Sequence, residues 1–304
     1  MEPLKYDICC IGHVTKDRVI TPNASAHMPG GTAHYFSNAL AQLDVTFSLI
    51  TSLATHDRFL LDDTSQRVPS ITIIPTKRTH YFENRYSDNP DHRTQRVLSQ
   101  SDPFYLSALP DLEASIYHFG PLLAQDIPVD MIKAASEKGI VSLDIQGYLR
   151  EVRAGKVYYT DWKDKYDVLP YIDILKANYE EARILTGRKK LKDSMKALAD
   201  WGVKEAIITL GSNGSIIYSN GIYHCIPAYS PQNALDATGC GDTYMAGYLY
   251  QKIKGASIQE AGVFGAAMAT LKIDRYGPFI GNENDVKAVI GKAQTIAHSS
   301  HVLL

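Results

Sequence analysis

The chain has 304 residues, 45% of them hydrophobic and 21% charged. That suits a soluble globular protein with room for one large α/β domain or two small ones. A net charge of −2 argues against a nucleic-acid surface, which needs a clear basic excess, and no apolar run of about 18 residues suggests a membrane span.

The opening MEPLKYDICCIGHV sets acidic residues around a short apolar stretch without a small-residue cleavage site. It reads as a first β-strand over 6–11 and not as a signal peptide. Next comes a helix over 31–43, with Ala33, Phe36, Leu40 and Leu43 at helical spacing, and then a strand over 45–50. Further strands are expected at 115–119, 140–143, 172–175 and 206–210. Runs such as AIITL are apolar on both faces, as strands of a helix-covered parallel sheet must be. Helices are expected at 242–254 and 257–273 and after Glu283. The alternation predicts an α/β fold, a doubly wound, mainly parallel sheet flanked by helices.

One stretch breaks the rhythm. THYFENRY and RTQRVLS flank the turn-rich SDNPDH within 71–99, which predicts a hairpin. Its strands are polar on both faces, so it is expected outside the main core, as a small β lid over a site. The four cysteines, Cys9, Cys10, Cys225 and Cys240, include no Cys-x-x-Cys pair. They read as small apolar residues in a reducing compartment, so a cytoplasmic protein without disulfides or structural zinc is expected. The ten histidines form no His-x-x-x-His or His-Glu-x-x-His pattern, which disfavours a metal hydrolase. No Gly-x-Gly-x-x-Gly follows the first strand, which disfavours a nicotinamide-binding enzyme.

The strongest chemical signal is Asp236-Ala-Thr-Gly-Cys-Gly-Asp242 ahead of the helical TYMAGYLYQKI. Gly239 and Gly241 allow positive φ and close approach of a ligand, and a helix start is an anion site. Asp242 could there take the proton of an attacking hydroxyl while the amides of Gly239, Cys240 and Gly241 hold a phosphate. Its alternative reading is a plain N-cap. Asn178 and Glu181, three apart at a helix start, share one face near such a phosphate; a capping box fits that spacing equally well.

These segments resemble the ribokinase-like (PfkB) carbohydrate kinases. The Asp236–Asp242 segment is similar to the family's second signature, and Asn178-Tyr-Glu-Glu181 to its Asn-x-x-Glu motif. ITLGSNGSIIY is similar to its nucleotide-binding turn, and Gly30-Gly31-Thr-Ala-His-Tyr-Phe-Ser-Asn38 to its first signature, after a strand followed by Asp17. The matches stand in the family's order and run to about Gly277.

The resemblance implies a single kinase domain over 1–304, with lid elements near 13–30 and 71–99. It would transfer the γ-phosphoryl group of ATP to a hydroxyl of a small sugar or cyclic polyol. Implied roles are catalysis for Asp242 with the Gly239–Gly241 amides, and ATP binding for Asn178, Thr209, Gly211, Gly214, Ala266 and Thr270. Asp17, Gly30, Gly31, Asn84 and Gln95 would bind the substrate, and Glu181 with Asn178 would serve Mg²⁺. The resemblance also allows a monovalent cation and a homodimer, and implies neither a nucleic-acid nor a membrane partner.

Departures bear on the substrate. Tyr35 stands where the family often has Asn, with Asn38 three further on, and Cys240 replaces the usual Ala. GGTAHYFSN and FEN…RTQ resemble the inositol-kinase branch, and 144–150 loosely resembles an Asp-x-Asn-x-x-Arg region near the phosphates. A nucleoside or vitamin kinase, or a non-catalytic sensor on the same fold, are the alternatives.

Overall fold

The computed structural model describes residues 4–20, 25–86, 93–108 and 112–296. Its strands in chain order are β1 (Leu4–Gly12), β2 (Thr15–Ile20), β3 (Ser25–Gly30), β4 (Phe47–Ala54), β5 (Ile71–Thr76), β6 (Tyr81–Tyr86), β7 (Arg93–Ser99) and β8 (Leu112–Gly120). They continue as β9 (Ile140–Asp144), β10 (Arg150–Arg153), β11 (Lys156–Tyr159), β12 (Ile174–Asn178), β13 (Glu205–Thr209), β14 (Ser215–Ser219) and β15 (Ile222–Ile226). The helices are α1 (Thr32–Leu40), α2 (Asp62–Ser65), α3 (Val129–Ser136), α4 (Lys165–Val168), α5 (Tyr179–Thr186), α6 (Leu191–Asp200), α7 (Cys240–Ile253), α8 (Ile258–Ile273) and α9 (Glu283–Ile296).

Nine strands form the larger sheet in the order β15-β14-β13-β12-β9-β8-β1-β4-β5. It is parallel from β13 to β5, while β14 and β15 run antiparallel at one edge. Successive residues of its strands alternate between two cores. Ile8 and Cys10 join one cluster with α1, α7 and α8, while Cys9 and Ile11 join the other with α3, α5 and α6. Ile207 and Ile208 divide in the same way, so both faces are apolar because both are covered. All four cysteines are free thiols. Among the described residues no helix is long and apolar enough to cross a membrane.

Six strands form a second sheet in the order β10-β11-β7-β6-β2-β3. The hairpin β6–β7 has Asn84 opposite Gln95; its expected turn over 87–92 lies outside the described residues. Three features differ from the sequence reading. Residues 71–76 pair with β4 in the larger sheet, because their apolar side chains suit its edge. Residues 150–159 supply two strands, too short and polar to announce themselves. The hairpin is also not polar throughout: Phe82 and Val97 are buried with Leu122 and Leu123 in a small core of their own.

Candidate active site

Parallel strands place their carboxyl ends on one edge, where open α/β sheets take ligands. Lys176 lies opposite Asp144 and Asn178 opposite Thr209 across β9, β12 and β13, which collects these side chains there. The sequence alone assigns neither Lys176 nor Asp144 a role, since their pairing depends on strand order.

The glycine turn enters the same site. Gly239 is the N-cap of α7 with φ 75°, and a Cβ on it would lie 2.2 Å from ring carbons of Tyr35. Glycine is therefore required both by conformation and by the ring laid against it. Asp242 stands in the first turn, and the N-cap carries no side-chain cap bond. Burial, and next the Asp144 carboxylate, push the Asp242 carboxyl up to about 6, against the pull of Lys176, a hydrogen bond with Thr32 and the charge of Arg150. A carboxylate tuned this way is mostly ionised near neutrality yet basic enough to accept a proton.

Lys176 Nζ donates to Asp144 Oδ2 at 2.8 Å, and both side chains are 7% exposed. Burial alone would push the ammonium's pKa down, but Asp144 and then Glu181 hold it above the usual lysine range. A Cβ on Gly241 would sit 2.9 Å from that nitrogen, so a buried cation abuts the positive end of α7. Helix dipole and ammonium point at one place, and an anion is the ligand that satisfies both. Cys240 contributes backbone only: its Sγ turns toward the Ala269 carbonyl at 3.6 Å, and burial pushes the thiol up to about 12.

Asn178 and Glu181 form the capping box in full. Asn178 Oδ1 accepts from the Glu181 amide at 2.8 Å, and Glu181 Oε2 accepts from the Asn178 amide at 2.8 Å. Glu181 Oε1 remains, 3.5 Å from Gln146 Nε2. One carboxylate oxygen beside a phosphate seat suits Mg²⁺, which binds few protein groups and keeps several waters.

The expected substrate residues lie on one face of the second sheet. Asp17 Oδ1 accepts from Thr15 Oγ1 at 2.6 Å, Asp17 Oδ2 accepts from Asn84 Nδ2 at 3.2 Å, and Asn84 Oδ1 accepts from Gln95 Nε2 at 2.9 Å. Gly30 fits against this chain, for a Cβ there would be 2.5 Å from Asp17 Oδ2. Gly31 leads directly into Thr32, whose side chain pulls the Asp242 carboxyl down. Thr32 reaches that place because Gly120 lacks a side chain; a Cβ on Gly120 would be 2.1 Å from it. No sequence spacing signals a contact between residues 32 and 242. Asn38 is committed elsewhere, donating to the His34 carbonyl at 2.8 Å and to Thr64 Oγ1 at 3.0 Å.

The expected nucleotide positions are more scattered. Thr209 ends β13. Gly211 has φ 60° with open space around it, whereas Gly214 is needed for a tight turn, since a Cβ there would strike the Ile226 carbonyl at 2.2 Å. On α8, Thr270 Oγ1 donates to the Ala266 carbonyl at 3.0 Å and lies 3.5 Å from the Tyr229 carbonyl.

A buried group that the sequence does not announce, His13, His80 and Asp126, marks the crossing between the two sheets. His80 Nδ1 accepts the Ser101 amide at 3.1 Å, so its Nε2 carries the proton toward Asp126 Oδ1 at 3.0 Å. That tautomer has no lone pair to give a metal. Burial alone would raise Asp126, but His80 and His13 hold its carboxyl well below the usual carboxylate range. The cluster is structural.

Comparison with known proteins agrees with this geometry. Residues 113–285 match the profile of the pfkB family carbohydrate kinases. The chain is 24% identical to a cytidine kinase of Thermococcus kodakarensis, over 89% of this chain and 97% of the relative. It is 26% identical to an inositol 3-kinase of Arabidopsis thaliana, over 89% of this chain and 74% of the relative. A solved structure of a pyrophosphate-dependent myo-inositol-1 kinase, converted to a myo-inositol-3 kinase by replacing an Asn and a Ser with Leu, superposes with a TM-score of 0.83. That pair shares 28% identity over 94% of this chain and 99% of the other.

Proposed function

The chain belongs to the pfkB family of carbohydrate kinases, phosphotransferases with an alcohol as acceptor, and from that premise we propose that it phosphorylates a cyclic polyol of the inositol type, with ATP as donor. The observation that carries this reading is the join through Gly31 and Thr32: Gly30 abuts Asp17 Oδ2, and Thr32, two residues on, acts on the Asp242 carboxyl. An acceptor hydroxyl held by Asp17 and Asn84 is thereby brought to the base. Asp242 takes the hydroxyl proton as the new O–P bond forms and the P–O bond to the leaving group breaks. Lys176 and the first-turn amides of α7 hold the transferred group, and their charge is in place before reaction. Glu181, through Oε1, with Asn178 beside it, would help to hold Mg²⁺, and the ion would supply positive charge to the donor phosphates.

Inositol is favoured over a nucleoside by the acceptor side. Asn84 and Gln95 are bonded to each other and lie 11 residues apart. The two residues whose replacement changes the hydroxyl chosen by the related myo-inositol kinase have the same separation. A ring bearing hydroxyls on every carbon suits a row of small polar side chains. A second reading has pyrophosphate as donor, supported by likeness to that same pyrophosphate-dependent enzyme. Product release would be measured with ATP and with pyrophosphate, each against inositols, pentoses, hexoses and nucleosides. Turnover of an inositol with ATP is the expected result. Turnover with pyrophosphate alone replaces the donor, and turnover confined to nucleosides overturns the acceptor reading.

A further inference from the structure

Lys272 is wholly buried, yet it lies outside the chemistry described above. It stands in the last turn of α8, and its Nζ donates to the Asp236 carbonyl at 2.8 Å and to Asp236 Oδ2 at 2.9 Å. The same ammonium lies 5.5 Å from the centroid of the Tyr35 ring, the ring that rests on Gly239. Asp236 begins the glycine turn and is fixed further on each side. Its Oδ1 accepts the Thr238 amide at 2.9 Å, and the amides of Leu235 and Asp236 both reach the Ile273 carbonyl, at 2.9 and 3.2 Å.

The ammonium thus sits among a backbone carbonyl, a carboxylate oxygen and an aromatic face. All three are electron-rich, and together they form the kind of nest that takes a small monovalent cation. Burying a lysine costs heavily unless it is paired and hydrogen-bonded, and here each contact leads to the start or the middle of the turn. Without Lys272 the carboxylate of Asp236 would lose its ion-pair partner. We propose that the Lys272 ammonium is a positioning cation supplied by the chain itself, which holds the glycine turn in its anion-binding shape and makes a free monovalent cation unnecessary. The inference rests on the kinase reading for its kinetic consequences, but its structural consequence stands apart from turnover.

The wild-type rate, measured at constant ionic strength in potassium, sodium and tetramethylammonium chloride, should agree within about twofold. Lys272→Ala should lower kcat by roughly 30-fold or more with acceptor KM within about threefold, because the turn serves the transition state and not acceptor binding. Potassium or ammonium, small enough to enter the vacated nest, should recover about fivefold of that loss, and tetramethylammonium none. If Lys272→Ala does not fold, the pair Asp236→Asn with Lys272→Met removes both charges together and should show the same low kcat without rescue. Wild-type activity stimulated more than about fivefold by potassium, or either variant within about threefold of wild-type kcat, overturns the proposal. Hydrogen exchange of amides 238–242 separates its failure from that of the kinase reading, because it needs no substrate. Exchange about tenfold faster in the variant supports the positioning role, and unchanged exchange overturns it.

Discussion

The proposed phosphate side and the proposed acceptor side of this site are built from different materials. On the phosphate side, buried charges are neutralised in pairs, Lys176 with Asp144 and Lys272 with Asp236, behind a glycine turn set on the larger core. On the acceptor side, Asp17, Asn84 and Gln95 hold one another by hydrogen bonds on a thin sheet whose own core is Phe82, Val97, Leu122 and Leu123. Fixed charge in a dry setting stabilises a transition state at no cost of reorganisation. Hydrogen-bond chains of small side chains discriminate among hydroxyls instead. Changes on the phosphate side should therefore act on kcat, and changes on the acceptor side on KM and on the hydroxyl chosen.

The largest effect belongs to Asp242. Asp242→Asn should lower kcat by roughly 10²–10⁴, the usual worth of a positioned base. It should also raise the melting temperature. The folded carboxyl titrates at about 6 against an unperturbed 3.8, so between those values the folded state keeps a proton that the unfolded state has lost. Stability of the wild type then falls as pH rises through that window and stays reduced above it, by up to about 3 kcal/mol. The variant lacks this penalty, so its advantage should be absent at pH 3.5 and complete by about pH 7. Wild-type kcat/KM should in turn rise with pH through an inflection near 6. Melting curves and kinetics across pH check both halves. A variant with more than half of wild-type kcat, or one that melts lower, breaks the comparison.

The larger sheet was legible in the sequence because strands covered on both faces are apolar on both faces, and AIITL cannot hide that pattern. The glycine turn was legible because each of its residues is demanded locally. What escaped notice joins distant parts of the chain: Thr32 to Asp242, Lys272 to Asp236, Tyr35 over Gly239. No periodicity marks such contacts, since they depend on which strand lies beside which. The acceptor sheet was only partly legible, for its strands at 150–159 are four residues each and carry too little pattern to be recognised.

A middle-sized effect should come from the acceptor side. Asn84→Leu removes the donor to Asp17 and the acceptor from Gln95, leaving buried polar groups unmatched at about 1–3 kcal/mol. Acceptor KM should rise roughly 5- to 150-fold, with kcat changed less than about threefold and a different ring hydroxyl phosphorylated. Steady-state kinetics and NMR of the product test it. A fall in kcat at constant KM would mean that the two sides are not separable.

Glu181→Gln is the smallest expected effect and the finest test, because this residue belongs to both kinds of construction. Its Oε2 closes the capping box with the Asn178 amide, while Oε1 lies 3.5 Å from Gln146 Nε2. Glutamine keeps an oxygen for the Asn178 amide, and a capping box accepts either residue, so helix α5 should lose less than about 1 kcal/mol. The negative charge alone is removed. If that charge serves Mg²⁺, the concentration giving half-maximal rate should rise several-fold while the melting temperature scarcely moves. Glu181 also helps hold the Lys176 ammonium charged, but Asp144 remains bonded to it, so the lysine should stay protonated and donor binding without Mg²⁺ should be unaltered. Measuring Mg²⁺ dependence and melting on one preparation distinguishes the roles. An unchanged Mg²⁺ requirement with a loss of about 1 kcal/mol would make Glu181 a helix cap and nothing more.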